Sequence, residues 1–444
     1  MATVNYKGRE SVINRSYSLL MLSFSTCWDL SILKYGSFIT NWMTLAGTWE
    51  IGQRCAKLRA MVTQNAPILF VDHATGLGGA EHSLLLLMQH LDPTQWQSHL
   101  ACPDGELARQ ARELGIAWHS ISLPQLRRSW QFAQDWRHFS HELARTAKTM
   151  GATAVYANTV RAALYSMGAA RVAKRPFIWH MRDFWLSETA PRFGVVDWVG
   201  KWLLCRTATQ VITNSAATAS HLPCRDKTAV VHNGIDLTQF TQMPDSREFR
   251  QACGIPTDAP LVGMVGRLRP WKGQHRFIEM AALVRQAQPE AQFVIVGGAP
   301  LGEAGDYPAQ LRQQAAARSL NDHLHFTGHL NDVRPALAAL DVFVHPGDPE
   351  PFGLVNIEAM ASGKPVVAFA HGALPEIVAD GQTGLLMPPE NIAALANAVS
   401  QLLADPTARL RLGQAGQCRA TEQFSIEETA VRIAQILQKT VGGA

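Results

Sequence analysis

The sequence contains few cysteines, and their spacing is irregular. Seven occur among 444 residues, and no two are separated by only two positions. An odd and scattered set indicates neither a disulfide framework nor a zinc site, so we expect a protein of the reducing cytoplasm. The cysteines are Cys27, Cys55, Cys102, Cys205, Cys224, Cys253 and Cys418.

Long apolar runs are also missing. A membrane-spanning helix needs about 20 mostly apolar residues, and no uninterrupted run approaches that length. The segment 17–28, YSLLMLSFSTCW, has no convincing cleavage site after it, so it does not indicate a secretory signal. Residues 1–66 show no clean periodicity. We expect them to be a poorly ordered, dispensable extension or the product of a start codon assigned too early, with an amphipathic membrane anchor as the alternative.

Charge of one sign is not concentrated anywhere in the chain. The formal net charge is only +4, and no dense basic stripe occurs, which argues against a nucleic-acid partner. Charged residues make up 17% and hydrophobic residues 47% of the chain, as in globular proteins. The front half is mildly basic, which suits an anionic substrate or peripheral contact with a membrane.

What the sequence does contain is a repeated alternation of short apolar runs with longer helical patterns, starting at Pro67. Apolar strands that alternate with helices build parallel sheets covered on both faces. The alternation therefore predicts an α/β fold. The strand candidates are Ile68–Asp72, Ser98–Cys102, Ala154–Ala157, Phe177–His180, Gln210–Asn214, Thr228–His232, Leu261–Val265, Gln292–Gly297, Leu324–Thr327, Val342–His345 and Pro365–Ala368.

A polar, proline-marked segment near residues 236–258 separates two such series of strands. We therefore expect two doubly wound, Rossmann-like domains that face each other across a cleft. Their predicted boundaries are 67–250 and 251–424. The last segment, 425–444, is predicted to be a helix that packs back towards the first domain.

Ligands of such sheets bind beyond the carboxyl ends of the strands, so residues after strands are the candidates for a site. After the first strand, the segment DHATGLGGAEHS places Gly78 and Gly79 just before a helix. Glycines allow a ligand to approach the backbone closely. The third glycine of a dinucleotide fingerprint is missing, which argues against a nicotinamide dehydrogenase. A tight structural turn is the alternative for this loop.

His180 follows an apolar run in the segment FIWHMRDFW, at the carboxyl end of a strand. A histidine there could face a ligand, or it could be a hydrogen-bonded structural residue.

Three cations follow the strand Leu261–Val265 in the segment GRLRPWKG. Arg267, Arg269 and Lys272 come directly after Gly266 and before a predicted helix, which suits a diphosphate site. A solvated charged surface is the alternative.

Two carboxylates, Glu350 and Glu358, stand seven residues apart in EPFGLVNIEAMASGKPVVAF. We predict a helix that begins near Phe352, so the free amides of its first turn would form an anion site between the two acids. The acids are then better read as clamps on hydroxyl groups than as a proton-transferring pair. The amides concerned are those of Gly353, Leu354 and Val355.

Taken together, the segments GMVGRLRPWKG, FVIVGG, EPFGLVNIEAMASGKPVVA, GALPEIV and DGQTGLLMPP resemble glycosyltransferase family 4, in the GT-B superfamily. The resemblance covers about residues 67–440, and the acid pair is similar to the E-x7-E motif of the retaining enzymes. It implies the GT-B fold and a nucleoside-diphosphate sugar as donor, with no metal and no cofactor.

The resemblance also implies roles for individual residues. Arg267 and Lys272 would neutralise the donor diphosphate after Gly266, Glu350 would contact the donor sugar, and Glu358 would hold the ribose. The helix-start segment, Phe352 included, would bind phosphate. His180 would face the donor sugar, and Gly78 and Gly79 would underlie donor and acceptor.

The implied function is sugar transfer to an acceptor hydroxyl in polysaccharide or glycoconjugate biosynthesis, at a cytoplasmic location with peripheral membrane contact as an option. A glycan, a lipid-linked molecule or a small molecule could be the acceptor. Alternatives are a catalytically silent GT-B protein acting as a scaffold, a sugar-nucleotide epimerase and a phosphorylase. An acceptor or membrane-facing surface could include Arg127, Arg128, Trp130 and Trp136; a solvated helix with packed tryptophans is the other interpretation.

Overall fold

The computed structural model describes residues 65–124, 131–186, 194–298 and 305–443. All of them belong to one compact unit, Val62–Ala444. The predicted extension, 1–66, lies almost wholly outside the described residues, as do Arg127, Arg128 and Trp130.

The first sheet has seven parallel strands in the order β3-β2-β1-β4-β5-β6-β7. The strand order reverses between β1 and β4, which makes this pair the switch point of the sheet. Its elements are β1 (Ala66–Val71), α1 (Gly79–His90), β2 (Trp96–Cys102), α2 (Glu106–Glu113), β3 (Ala117–Ser120), α3 (Phe132–Thr149), β4 (Ala154–Ala157), α4 (Val160–Ala173), β5 (Phe177–Met181), α5 (Gly194–Thr207), β6 (Gln210–Thr213), α6 (Ala216–Ser220) and β7 (Thr228–Val230).

The second sheet has six parallel strands in the order β10-β9-β8-β11-β12-β13, with its switch point between β8 and β11. Helix α7 (Ser246–Cys253) precedes it. The further elements are β8 (Leu261–Val265), α8 (Gln274–Ala287), β9 (Gln292–Val296), α9 (Tyr307–Ala317), β10 (Leu324–Gly328), α10 (Arg334–Ala339), β11 (Val342–His345), α11 (Leu354–Ala361), β12 (Val366–Phe369), α12 (Leu374–Ile377), β13 (Gly384–Met387), α13 (Ile392–Ala404), α14 (Pro406–Gln423) and α15 (Ile426–Gly442).

Two parallel sheets with helices confirm the predicted fold class. The sequence did not predict β3 and β13, and each is the edge strand of its sheet. Strand β3 (AWHS) is partly exposed and lacks the continuous apolar run that marks a strand covered on both faces, whereas β13 (GLLM) has only three apolar residues between a glycine and a proline.

The last helix, α15, returns to the first sheet. Its residues Ala430, Ile433 and Leu437 are buried in the same apolar cluster as Ile68 and Phe70 of β1. The chain therefore crosses twice between the two sheets.

One pair of cysteines corrects the sequence analysis. Cys205, in α5, and Cys224 form a disulfide with an S–S distance of 2.04 Å, so the prediction of no disulfide was wrong for this pair. Nineteen positions separate the two residues, and no short motif marks them. The cysteine pattern consequently no longer supports a reducing location. None of the helices within the described ranges is both long and apolar enough to cross a bilayer.

Candidate functional site

The loop with the predicted cations lies at the switch point of the second sheet. After β8, residues Pro270–Lys272 form one turn of 3₁₀ helix, and α8 starts behind Gly273. Gly273 has a φ of 77°, and a Cβ atom there would lie 2.2 Å from the carbonyl oxygen of Pro346. Only glycine fits this position, and it presses the cationic loop against the loop that follows β11.

This packing brings Lys272 to Glu350. The Lys272 Nζ donates a hydrogen bond to the Glu350 carboxylate, and Nε2 of His345 lies 3.3 Å from the same oxygen. Glu350 is only 4% exposed. Burial by itself would raise the pKa of Glu350, but the charge and hydrogen bond of Lys272, together with nearby His345, outweigh it and hold the pKa well below its usual range. Glu350 is therefore an ionised acid that holds Lys272 in place.

Helix α11 begins two residues later than predicted. Phe352 is buried in the apolar core at 3% exposure, and Gly353, with a φ of 92°, is the residue that precedes the helix. Leu354 and Val355 open the first turn, where backbone N–H groups have no partner within the helix. Asn356 is fully buried and fixes this end of the helix by donating from Nδ2 to the carbonyl oxygen of Gly353, at 3.0 Å.

Glu358 lies further along α11, and its environment differs from that of Glu350. No described residue donates a hydrogen bond to its carboxylate, and burial raises its pKa to about 7. A partly buried carboxylate without donors is poised to accept hydrogen bonds from a ligand's hydroxyl groups.

The glycine loop after β1 faces this cluster from the first sheet. A Cβ atom on Gly78 would lie 3.9 Å from Nη2 of Arg267, and one on Gly79 would lie 3.6 Å from Cδ1 of Leu354. The amide of Gly78 is already used, because it donates to the Glu81 carboxylate at 2.8 Å. The lack of side chains in the loop therefore allows a close approach to Arg267 and Leu354, but the amide of Gly78 is not free to bind a ligand.

His180, which is predicted to face the donor sugar, lies buried in β5. It is 1% exposed, and its Nδ1 pairs with the Tyr156 hydroxyl at 2.5 Å, while no described residue bonds its Nε2. Burial, followed by the charge of Arg182, lowers its pKa well below the ordinary value, so the ring is neutral. In this conformation the His180 side chain is closed to a ligand.

Arg182 occupies the strand-end position instead, and the sequence analysis did not single it out. Its Nε donates to Asn158 Oδ1 at 2.7 Å, and its Nη1 donates to Asn233 Oδ1 at 2.5 Å. Asn158 in turn donates to Asp72 at 2.7 Å. Burial, with a contribution from the Glu81 charge, raises the pKa of Asp72 to about 7. The detectable signal was the position of Arg182, directly after β5.

Glu376 also has a role that the sequence did not reveal. Its carboxylate accepts hydrogen bonds from the amides of Ala216 and Ala217, at 2.7 and 2.8 Å, across the boundary between the sheets. Ser215 donates to the carbonyl oxygen of Pro351 at 2.7 Å, next to Glu350. These contacts hold α6 of the first sheet against the loop that carries Glu350.

The suggested acceptor surface is only partly described. Trp136 is packed against the first core, and its indole nitrogen donates to the carbonyl oxygen of Leu164 at 2.7 Å. This residue has the structural role that was the alternative interpretation. Among the described residues, no group of three His, Cys, Asp or Glu side chains could hold a metal ion.

The site thus combines two cations, the start of a helix and two acids in different electrostatic states. Such an arrangement can bind a diphosphate and hold hydroxyl groups on either side of it.

Two family models match the chain. The model of glycosyl transferases group 1 matches residues 245–419, and that of glycosyltransferase family 4 matches residues 77–239. The lipopolysaccharide core biosynthesis mannosyltransferase LpsB of Rhizobium meliloti is 31% identical, over 53% of this chain and 67% of its own. The D-inositol 3-phosphate glycosyltransferase of Streptomyces scabiei is 32% identical, over 54% of this chain and 55% of its own. The chain thus spans between about half and two thirds of these relatives.

Among solved structures, the Anabaena protein HepE in complex with UDP has a TM-score of 0.74 and 29% sequence identity. The similarity covers 84% of this chain and 100% of that one. The same protein in complex with UDP-glucose has a TM-score of 0.72 and 28% identity, with 84% and 99% covered.

Proposed function

Because this chain belongs to glycosyltransferase family 4 of the GT-B superfamily, we propose that it is a retaining, metal-independent hexosyltransferase. It would move a sugar from a nucleoside-diphosphate sugar to an acceptor hydroxyl in polysaccharide or glycoconjugate biosynthesis. The observation that carries the proposal is the ion pair of Lys272 and Glu350 beside the start of α11, opposite Gly78 and Gly79. The UDP and UDP-glucose complexes of HepE support a sugar nucleotide as the donor.

The cations and the helix start act on the leaving group. When the bond between the anomeric carbon and the phosphate oxygen breaks, negative charge develops on the departing diphosphate. Arg267 and Lys272, with the amides of Leu354 and Val355, stabilise that charge. Because the groups are already in place before the reaction, they need little reorganisation in the transition state.

The two acids hold the donor on either side of the diphosphate. Glu350, ionised and fixed by Lys272, accepts hydrogen bonds from hydroxyls of the transferred sugar. Glu358, which no described residue satisfies, accepts them from the ribose. Neither acid transfers a proton in this proposal.

Retention follows from attack on the same face from which the diphosphate leaves. The acceptor oxygen bonds to the anomeric carbon, and its proton passes to the departing phosphate oxygen. Closure of the two sheets around the donor excludes water, which would otherwise hydrolyse it. A direct role of His180 at the sugar would need its side chain to open, and the same holds for Arg182, which is 5% exposed.

The acceptor is a glycan, a lipid-linked molecule or a small molecule, and no cofactor is needed. The proposed location is the cytoplasm, with peripheral contact at the inner face of the membrane. Because Cys205 and Cys224 form a disulfide, the cysteine pattern does not support this location. The support is the nucleotide-sugar donor.

A panel of UDP-, GDP- and ADP-sugars, screened for thermal stabilisation and slow donor hydrolysis, tests the proposal. We expect one donor to raise the melting temperature and Arg267→Ala to abolish the shift. Arg247→Ala is the matched control, because Arg247 is 78% exposed and, among the described residues, forms an ion pair with nearby Asp245 alone. If no donor raises the melting temperature of the parent, and Arg267→Ala melts at the same temperature as the parent, the transferase proposal fails. A silent scaffold is then the better description.

A further inference from the structure

Helix α5 buries Asp197 and Lys201 and exposes most of its apolar side chains. A helix on the surface of a globular protein normally shows the reverse arrangement. The exposed side chains include Val195 at 73%, Val196 at 58%, Trp198 at 57%, Val199 at 48%, Trp202 at 43% and Leu203 at 40%. A contiguous apolar surface of this kind marks a binding face.

The buried polar side chains fix the orientation of α5. Asp197 and Lys201 are 7% and 3% exposed and form an ion pair at 2.6 Å. Asp197 also accepts from the amide of Leu186 at 2.7 Å, and Lys201 donates to the carbonyl oxygen of Phe184 at 2.6 Å. Rotating α5 to hide its valines and tryptophans would break all of these contacts.

The charges that remain exposed around α5 are predominantly positive. Arg206 is the only exposed ionisable residue within Gly194–Thr207, and its guanidinium lies 5.6 Å from the Trp202 ring. Helix α4 packs beside α5 and ends in an exposed basic cluster. That cluster consists of Arg171, Lys174 and Arg175. An apolar and aromatic surface that is flanked by cations matches the interface of an anionic bilayer.

The place of α5 in the fold connects this face to the candidate site. The helix follows β5, and Arg182, directly after that strand, belongs to the buried network at the carboxyl edge of the first sheet. The first exposed valines of α5, Val195 and Val196, lie in the helix turn nearest this edge. The N-terminal end of α5 therefore lies near the edge of the first sheet at which an acceptor would bind, and a bilayer against α5 would be close to that edge.

We propose that α5 docks the protein on an anionic membrane surface, with its tryptophans and valines inserted between head groups. The inference rests on the proposed function, because docking would bring the protein to a lipid-linked acceptor presented at the membrane surface. A second copy of the chain could cover the apolar residues, but a bilayer also supplies anions for the basic end of the helix.

Cosedimentation with vesicles tests the proposal. The vesicles are phosphatidylcholine alone, or phosphatidylcholine and phosphatidylglycerol in equal parts. We expect the full chain to bind the mixed vesicles, less so in high salt. Trp198→Ser/Trp202→Ser should lower the partition coefficient about tenfold or more. Leu410→Ser/Val431→Ser is the matched control, because these residues are 62% and 52% exposed on other helices, and it should bind like the parent.

Three outcomes would overturn docking on the membrane. The first is that the parent binds neither vesicle type, and the second is that the tryptophan variant binds like the parent. The third is a parent dimer in sedimentation velocity that the variant dissociates, without vesicle binding, which would make α5 an interface between copies. Melting temperatures establish that the variants fold. UDP binding is measured separately, so a protein that binds vesicles but no nucleotide contradicts the proposed function and leaves the docking inference standing.

Discussion

Lys272 and Glu350 form a partly buried ion pair, although they lie 78 positions apart in the sequence. The pair exists because β8 and β11 are neighbours in the second sheet, so the loops after these strands meet at its carboxyl edge. In the free protein Lys272 and Glu350 thus bind each other, whereas in the proposed complex both would also contact the donor.

Replacing either member of this pair should have different consequences. Lys272→Ala leaves the Glu350 carboxylate buried without its main counter-charge, which we expect to cost about 3–5 kcal/mol of the free energy of unfolding. Glu350→Gln instead frees Lys272 for phosphate. UDP should then bind more tightly, while transfer or donor hydrolysis falls by about 10²–10³. Calorimetric titration with UDP and turnover measurements check this, and weaker UDP binding by Glu350→Gln would argue against a shared cation.

The pH dependence of nucleotide binding should report Glu358. Burial raises its pKa from 4.5 to about 7, so its contribution to stability is fully present below 4.5 and is lost as the pH rises through 7. Ribose hydroxyls would favour the ionised form, so UDP binding should tighten as the pH rises through 7 and release a proton.

Glu358→Gln is the test of that assignment. The variant should lose this part of the pH dependence, and its unliganded form should gain stability relative to the parent at pH values above 7. Thermal melts and UDP titrations across the pH range measure both effects. The titration of UDP itself is common to the two proteins, so identical pH profiles would show that Glu358 does not contact the ligand.

Glu376 should act on the rate rather than on donor affinity. Burial alone would raise its pKa, but hydrogen bonds from His232 and from the amides of Ala216 and Ala217 lower it below the ordinary value. The carboxylate therefore joins the sheets as an ion, and Glu376→Ala removes hydrogen bonds worth about 1.5–3 kcal/mol each.

We expect Glu376→Ala to lower kcat about tenfold or more, because the hydrogen bonds that fix α6 of the first sheet to α12 of the second would be lost. Glu376→Gln, which keeps one acceptor oxygen, should fall between the variant and the parent. UDP affinity should change little, since the cations and α11 remain intact. Glu422→Ala, an exposed acid on α14, is the control. A loss of UDP affinity with kcat unchanged would contradict a positioning role.

The glycine loop offers a matched pair of substitutions. A Cβ on Gly79 would meet Cδ1 of Leu354 at 3.6 Å, an ordinary contact, whereas one on Gly78 would lie 2.7 Å from the Glu81 carboxylate. Gly79→Ala should therefore fold and melt like the parent. Gly78→Ala should displace the Glu81 side chain from the helix start and lower the melting temperature, because a cap is worth about 1 kcal/mol. Equal melting temperatures would show that the loop absorbs the added methyl group.

Much of the fold could be predicted because its signal is local. A strand buried on both faces needs a continuous apolar run, and such runs marked the central strands of both sheets. The edge strand β3 escaped prediction because solvent reaches one side of it and polar residues are tolerated there, whereas the apolar run of β13 is only three residues long, between Gly384 and Pro388. Helix α11 starts after Phe352 because Gly353, with a φ of 92°, has a left-handed backbone that a right-handed helix cannot include.

By itself, the sequence determined the alternation of strands and helices, the cationic loop after β8 and the acid pair around the start of α11, since each depends on residues close together in the chain. Only the tertiary structure decided which side chains meet. It joined Lys272 to Glu350, enclosed His180 and joined Arg182 to Asn158 and Asn233. It also turned the apolar face of α5 outwards, because the buried pair of Asp197 and Lys201 holds the helix that way. Contacts between distant segments depend on strand order and packing, and no local pattern encodes them.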